Sequence, residues 1–226
     1  MIELKHKMKK IGLIFDLDGV IVDTAIYHYK AWKTIADELG FDFSILQNEQ
    51  LKGVSRMESL DRLLVFGGLN DLTDEEKLRL AECKNKLYVD YITKLTPEAV
   101  LPGVDKFMNS LAFENVGIAL GSASKNAMTI LNQIEYLDVF DVVIDGTKVK
   151  RSKPDPEVFI KAASELDIEP ENCIVFEDAE AGIEAAKLAG MKTIGVGDEE
   201  ILRDADLVIS NFEDLNFETC KTQFNL

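Results

Sequence analysis

Six short apolar runs, separated by stretches of helical periodicity, constrain this chain more than any other feature. They are Ile11–Phe15, Val116–Leu120, Val142–Asp145, Ile174–Phe176, Thr193–Val196 and Leu207–Ile209. Parallel strands need crossovers long enough to hold a helix, so strands alternating with helices predict a Rossmann-like parallel sheet covered on both faces. Helix ends are marked as well. Asp155-Pro156 predicts an N-cap followed by proline at the first helical position, opening a helix toward Leu166. Gly190 stands where a helix from about Ala181 should close on a left-handed residue.

The alternation fails once. Between Thr24 and about Thr96 only helical patterns occur. Tyr27–Leu39 reads as one amphipathic helix, and Ser55-Arg56-Met57-Glu58 and Thr73-Asp74-Glu75-Glu76 are capping-box patterns that open two more. An all-helical insertion directly after the first strand predicts a cap over a crevice. The expected division is an α/β core of residues 1–24 and 97–226 and a helical cap of residues 25–96, hinged near Thr24 and Pro97.

The first strand runs into Asp16-Leu17-Asp18-Gly19. Residues two apart along a strand face the same side, and open α/β sheets bind ligands beyond the carboxyl ends of their strands. Two carboxylates in one crevice need a cation or a proton between them. The formal charge of −16, from 25 Lys and Arg against 41 Asp and Glu, excludes nucleic-acid and anionic-membrane partners, which want a basic face. A phosphate ligand would have to be met by a few concentrated cations, for which Lys52, Arg56, Lys125 and Lys153 are candidates. Cys83, Cys173 and Cys220 are odd in number and scattered, as reduced thiols are, and Cys173 reads as a small core residue. No apolar run reaches the length of a membrane span, and Met1–Lys10 is too polar and short for a signal peptide. A soluble, cytoplasmic protein is expected.

With Asp16-Leu17-Asp18-Gly19, Ser122 after Ile118–Gly121, Lys153-Pro154 and Glu177-Asp178 in that order, the chain resembles the haloacid dehalogenase superfamily from about Lys10 to Phe212. Within it the chain is similar to the β-phosphoglucomutase family. The resemblance implies phosphoryl transfer, with Asp16 as nucleophile forming an aspartyl-phosphate and Asp18 as general acid and base. Superfamily members that hydrolyse carbon–halogen bonds lack an Asp at that second position. It further implies Mg²⁺ held by Asp16, the backbone carbonyl of Asp18, Asp178 and, directly or through water, Glu177. Lys153 would neutralise the nucleophile, while Ser122 and the backbone N–H of Ala123 would hold a phosphate oxygen.

Leu51-Lys52-Gly53-Val54-Ser55-Arg56 with Ser59 resembles the family's substrate-specificity loop, which makes Arg56 the grip on a distal phosphate and Gly53 a point of close backbone approach. Ser124, Lys125 and Asn126 match the core side of that distal site, and Ser124 is also expected to cap the following helix. His28, Trp32, Lys84 and Asn85 match cap residues. His28 is expected to help position Asp18 and the attacking hydroxyl, and Trp32 to pack inside the cap. Two departures stand out, Ile26 where relatives are polar and Ala179 where a Ser is frequent.

Both a mutase and a phosphatase start from the same phospho-aspartate. Two phosphate sites favour the mutase, a monomeric Mg²⁺-dependent isomerase of carbohydrate metabolism acting on a sugar phosphate. A sugar-phosphate phosphatase is the alternative. A silent sugar-phosphate-binding regulator would not need the nucleophile.

Overall fold

The computed structural model describes residues 11–225; the stretch 1–9, to which the sequence assigns no role, lies outside them. The strands are β1 (Ile11–Phe15), β2 (Val116–Gly121), β3 (Val142–Ile144), β4 (Cys173–Glu177), β5 (Lys192–Val196) and β6 (Leu207–Ile209). They form one parallel sheet in the order β3-β2-β1-β4-β5-β6. Each expected strand is present; β1 and β6 have the expected bounds and the others shift by one residue at one or both ends, so Cys173 lies inside β4 and Asp145 just past β3. Strand order reverses between β1 and β4, and Phe15 pairs in register with Leu120 on one side and Phe176 on the other. The residues after β1, β2 and β4 therefore emerge together at the switch point, where open α/β sheets form their crevice.

Alternation along the strands sorts the core into two layers. Leu13, Phe15, Ile174, Phe176 and Ile194 face α5 (Val104–Ser110), α6 (Ala127–Gln133) and α9 (Phe217–Phe224). Ile14, Ala119 and Val175 face α7 (Glu157–Leu166) and α8 (Glu180–Leu188). Phe15 stacks on Phe176 at 4.5 Å directly beneath the crevice, and Phe107 packs edge-on against both. Each such buried ring contributes about 1.5–3 kcal/mol, which makes this end of β1 and β4 a stiff platform.

Residues 25–92 hold α1 (Ala25–Glu38), α2 (Ile45–Glu49), α3 (Arg56–Phe66) and α4 (Asp74–Ile92), with no strand among them. They enclose their own apolar cluster around Trp32, Phe43, Leu60 and Leu63, while Ala31, Tyr88 and Ile92 turn toward the sheet-side core. The chain segments leading in and out touch: Val22 bridges Val100 antiparallel, and Leu101 N–H donates to the Ile21 carbonyl at 2.9 Å.

Several helix starts differ from expectation. Thr73 and Glu76 complete their capping box, but at Ser55 only half of one forms, because the Glu58 carboxylate is engaged elsewhere. The α7 start falls one residue late: Asp155 Oδ1 accepts from Glu157 N–H and Pro156 occupies the cap position. Ser124 does not cap α6. Its Oγ accepts from Asn126 N–H at 3.2 Å, which tightens a turn two residues on, and Asn126 becomes the N-cap. Gly190 closes α8 with φ +77, as expected.

Candidate active site

Asp16 follows the end of β1, its N–H donating to the Phe176 carbonyl at 2.9 Å, so the sheet ladder fixes its backbone. Its carboxylate is buried. Oδ1 meets Lys153 Nζ at 2.5 Å, and Oδ2 accepts from Asp18 N–H at 3.0 Å. Lys153 Nζ also reaches Glu177 Oε2 at 2.8 Å and lies 4.6 Å from the centre of the Phe159 ring. Burial opposes the Lys153 charge, but Asp16 and Glu177 outweigh it and hold the ammonium above its ordinary range. The other Glu177 oxygen accepts from Ala179 N–H at 3.2 Å, so Glu177 first of all anchors Lys153.

Asp16, Glu177 and Asp178 each bring a carboxylate oxygen within 4.8 Å of the others. Gly19 permits this approach. It has φ +82, and a Cβ there would meet Asp178 Oδ2 at 2.2 Å. Glu177 and Asp178 are both held above the usual carboxylate range, by burial first and by neighbouring carboxylates as well. An oxygen-only cluster with excess negative charge suits a hard divalent cation. Lys52 Nζ lies 3.4 Å from Asp178 Oδ2 and offsets part of that charge.

Asp18 differs from Asp16. Its carboxyl oxygen accepts from the Thr24 hydroxyl and from Tyr88 OH at 3.5 Å. Burial and the Asp16 charge push it up to about 6, placing an acid-base group near neutrality. Beyond it, Lys84 Nζ lies 2.9 Å from His28 Nδ1 and above the Trp32 and Tyr88 rings, at 4.8 and 4.6 Å. Burial and the charge of Arg56 lower Lys84 to about 7, and burial with Lys84 keeps His28 well below its usual value. The imidazole tautomer sets which of the two donates.

These groups line one cavity of about 450 Å³ between the sheet edge and the helical insertion. From the core come Asp16, Asp18, Ser122, Ala123, Ser124, Lys125, Asn126 and Asp178, and from the insertion His28, Lys52, Gly53, Arg56, Ser59, Lys84 and Asn85. Every expected catalytic and substrate residue faces it except Lys153, which with Glu177 sits behind Asp16. Ser122 Oγ is buried and accepts from Ser124 N–H at 3.1 Å. Asn126 Nδ2 donates to Asn85 Oδ1 at 3.0 Å across the cavity. Gly53 (φ +72) lies against Ala179 and α8, where a Cβ would come within 3.1 Å of the Ala179 Cβ. Trp32 is 1% exposed, a packing residue whose ring also faces the cavity.

Thr24 and Tyr88 were not singled out from sequence as partners of Asp18. Tyr88 had a signal, being one helical turn past Lys84 on the same face of α4. Thr24 had none.

Residues 13–196 match the family model of the haloacid dehalogenase-like hydrolases, and the chain belongs to that family. Within it the chain is 47% identical to the β-phosphoglucomutase of Bacillus subtilis (strain 168) over 92% of each chain. A crystal structure of β-phosphoglucomutase from Clostridium difficile superposes with a TM-score of 0.91 at 46% identity, covering 96% of this chain and 97% of that one. A fructose-1-phosphate phosphatase of Escherichia coli (strain K12) is 31% identical over 82% of this chain and 95% of its own length. Sequence and structure together place the chain in the β-phosphoglucomutase branch.

Proposed function

We propose that this chain is a β-phosphoglucomutase, interconverting β-D-glucose 1-phosphate and glucose 6-phosphate through β-glucose 1,6-bisphosphate. The observation that carries the reading is the facing of cations across one cavity: Lys52 and Arg56 from the insertion, Lys125 from the core, with buried Lys153 behind the nucleophile. A phosphatase needs one phosphate site. A bisphosphate passing between two positions needs two.

Asp16 attacks phosphorus and becomes the aspartyl-phosphate. Lys153 keeps its carboxylate oriented and offsets charge as phosphate approaches. Ser122 and the Ala123 N–H hold a phosphoryl oxygen. Asp18 donates a proton to the leaving oxygen and later takes one from the attacking sugar hydroxyl, with Thr24, Tyr88 and His28 fixing its position. Arg56, Ser124, Lys125 and Asn126 grip the distal phosphate, and a guanidinium does so bidentately. Asp16, Asp178 and the Asp18 carbonyl would hold Mg²⁺, with Glu177 joining if it releases a present partner. When bound, Mg²⁺ screens the repulsion between carboxylate and phosphate.

Residues 25–96 act as the cap on a core of 1–24 and 97–226. The separate apolar cluster and the paired connections at Val22 and Val100 support this division. One chain supplies every group, so a monomer suffices. The free thiols of Cys83, Cys173 and Cys220 support a cytoplasmic setting, and among the described residues no helix is long and apolar enough to cross a membrane.

Phosphorus NMR of β-glucose 1-phosphate with Mg²⁺ and a trace of bisphosphate tests the reading. Glucose 6-phosphate is expected; inorganic phosphate alone would install the phosphatase instead.

A further inference from the structure

Glu58 has both carboxylate oxygens committed. Oε1 meets Arg62 Nη2 at 2.6 Å, one helical turn along α3. Oε2 accepts from Ser152 Oγ at 3.2 Å, across the gap between insertion and core. Arg62 also donates from Nη1 to the Gln50 carbonyl at 2.5 Å. A chain of contacts therefore runs from the backbone just before Lys52, through Arg62 and Glu58, to the residue just before Lys153. It joins the loop that carries the cap cations to the loop that carries the core cation. Glu58 on α3 and Ser152 in the Lys153 loop are 94 residues apart, so local folding does not bring them together. The pairing also explains the incomplete capping box at Ser55: Glu58 gives up the local partner that its position in the box would supply.

The charge pattern fits a contact that opens and closes. The Glu58 and Arg62 side chains are 36% and 39% exposed, so water replaces the Ser152 hydroxyl at little cost when the gap widens. Arg62 stays with Glu58 in either state, because both lie on α3. Of the two Glu58 contacts, the one to Ser152 spans insertion and core.

We infer that Glu58 and Ser152 form a latch over the rim of the cavity, with Arg62 as its brace, and that the latch positions the Lys52–Arg56 segment against the Lys153 loop while a sugar phosphate is bound opposite the phospho-aspartate. The inference rests on the mutase reading. Glu58, Arg62 and Ser152 are positioning residues. Their work is to keep water from Asp16 while a sugar phosphate is bound.

The test uses the full-length protein with Mg²⁺, acetyl phosphate as a small phosphoryl donor, and glucose 6-phosphate as acceptor. Ser152→Ala removes one hydroxyl from a partly exposed loop and leaves the Ser152 carbonyl, which accepts from Asp155 N–H, in place. Loss of one such hydrogen bond should raise the share of phospho-aspartate lost to water by roughly two- to tenfold when acceptor is present. Hydrolysis without acceptor, and the rate of Asp16 phosphorylation, should match wild type, because neither needs the latch. A merely structural defect would move all three. Glu58→Ala should leak water as Ser152→Ala does, and the double variant should leak no more than Glu58→Ala alone. Unchanged partition in Ser152→Ala, a rise with and without acceptor alike, or additive effects in the double variant would each overturn the latch. If wild type makes no bisphosphate at all, the mutase reading fails on its own. Amide hydrogen exchange of residues 51–56 with glucose 6-phosphate bound then decides the latch: faster exchange in Ser152→Ala supports it, and identical exchange removes it.

Discussion

Asp16 and Asp18 are two residues apart and have opposite surroundings. One is clasped by an ammonium and a backbone N–H, the other by two hydroxyls with a pKa of about 6. Asp18→Asn keeps the hydrogen-bond acceptor and loses the proton, so turnover should fall by roughly two to four orders of magnitude. Rapid-quench measurement of phosphoenzyme formation from sugar bisphosphate checks this, and an unchanged rate would remove Asp18 from proton transfer. Lys84 offers a second test at this scale. Its pKa falls from 10.5 to about 7 on folding, driven by burial and then by Arg56. Between those values the unfolded chain holds one more proton than the folded one, so this group's contribution to stability rises with pH across the window and is lost as pH falls toward 7. Wild type should therefore gain on Lys84→Met by up to about 1.4 kcal/mol per pH unit between pH 7.5 and 9.5 in metal-free denaturant unfolding. Equal slopes would show that Lys84 stays charged in the fold. The meeting of Asp16, Lys153, Glu177 and Asp178 was legible because each follows a strand or sits in a short motif. Thr24 was not, since its bond to Asp18 depends on a turn with no sequence signature.

At the scale of elements, the loop from Leu51 to Ser55 and the start of α3 carry substrate discrimination in the proposed reading. Arg56 is half-buried there, its charge disfavoured by desolvation, and Arg56→Ala should cost mutase efficiency more than tenfold. Phosphorylation of Asp16 by acetyl phosphate should change far less, and Lys at this position should not restore sugar transfer, because it lacks the planar fork. Equal loss in both assays would make Arg56 a structural residue. All six strands could be read from apolar runs, because a parallel sheet buries both faces of its strands. Helix starts were less legible. The short helix α2 has a complete capping box at Ser44 and Gln47 that no apolar periodicity announces, since Ile45 and Leu46 point to solvent. At α6 and α7, Ser124 and Asp155 each bind a backbone N–H two residues ahead, and only geometry tells that turn from a cap.

For the whole molecule, the three apolar clusters predict unequal stability. Leu63 is fully buried in the insertion's own cluster, so Leu63→Ala should cost about 2–5 kcal/mol. Hydrogen exchange in α1 and α3 should then accelerate while β1 and β4 stay protected; uniform acceleration would show a single cooperative unit. The helical insertion was legible as a gap in the strand pattern, whereas the contact between its two connections was not, because Val22 and Val100 lie 78 residues apart with nothing in composition to link them. That contact has a mechanical consequence. Two chain crossings that pair with each other form a double strap, and a strap bends more easily than it stretches or shears. In the proposed reading of residues 25–96 as a cap, such a strap would let the insertion swing more readily than slide, and would bring Arg56 back to the same distance from Asp16 at each closing. On that reading the closed molecule would be a gauge of fixed span: a sugar carrying phosphates at the matching separation would fit with either end leading, and turning end for end between two encounters is what exchanging the two positions of phosphate requires.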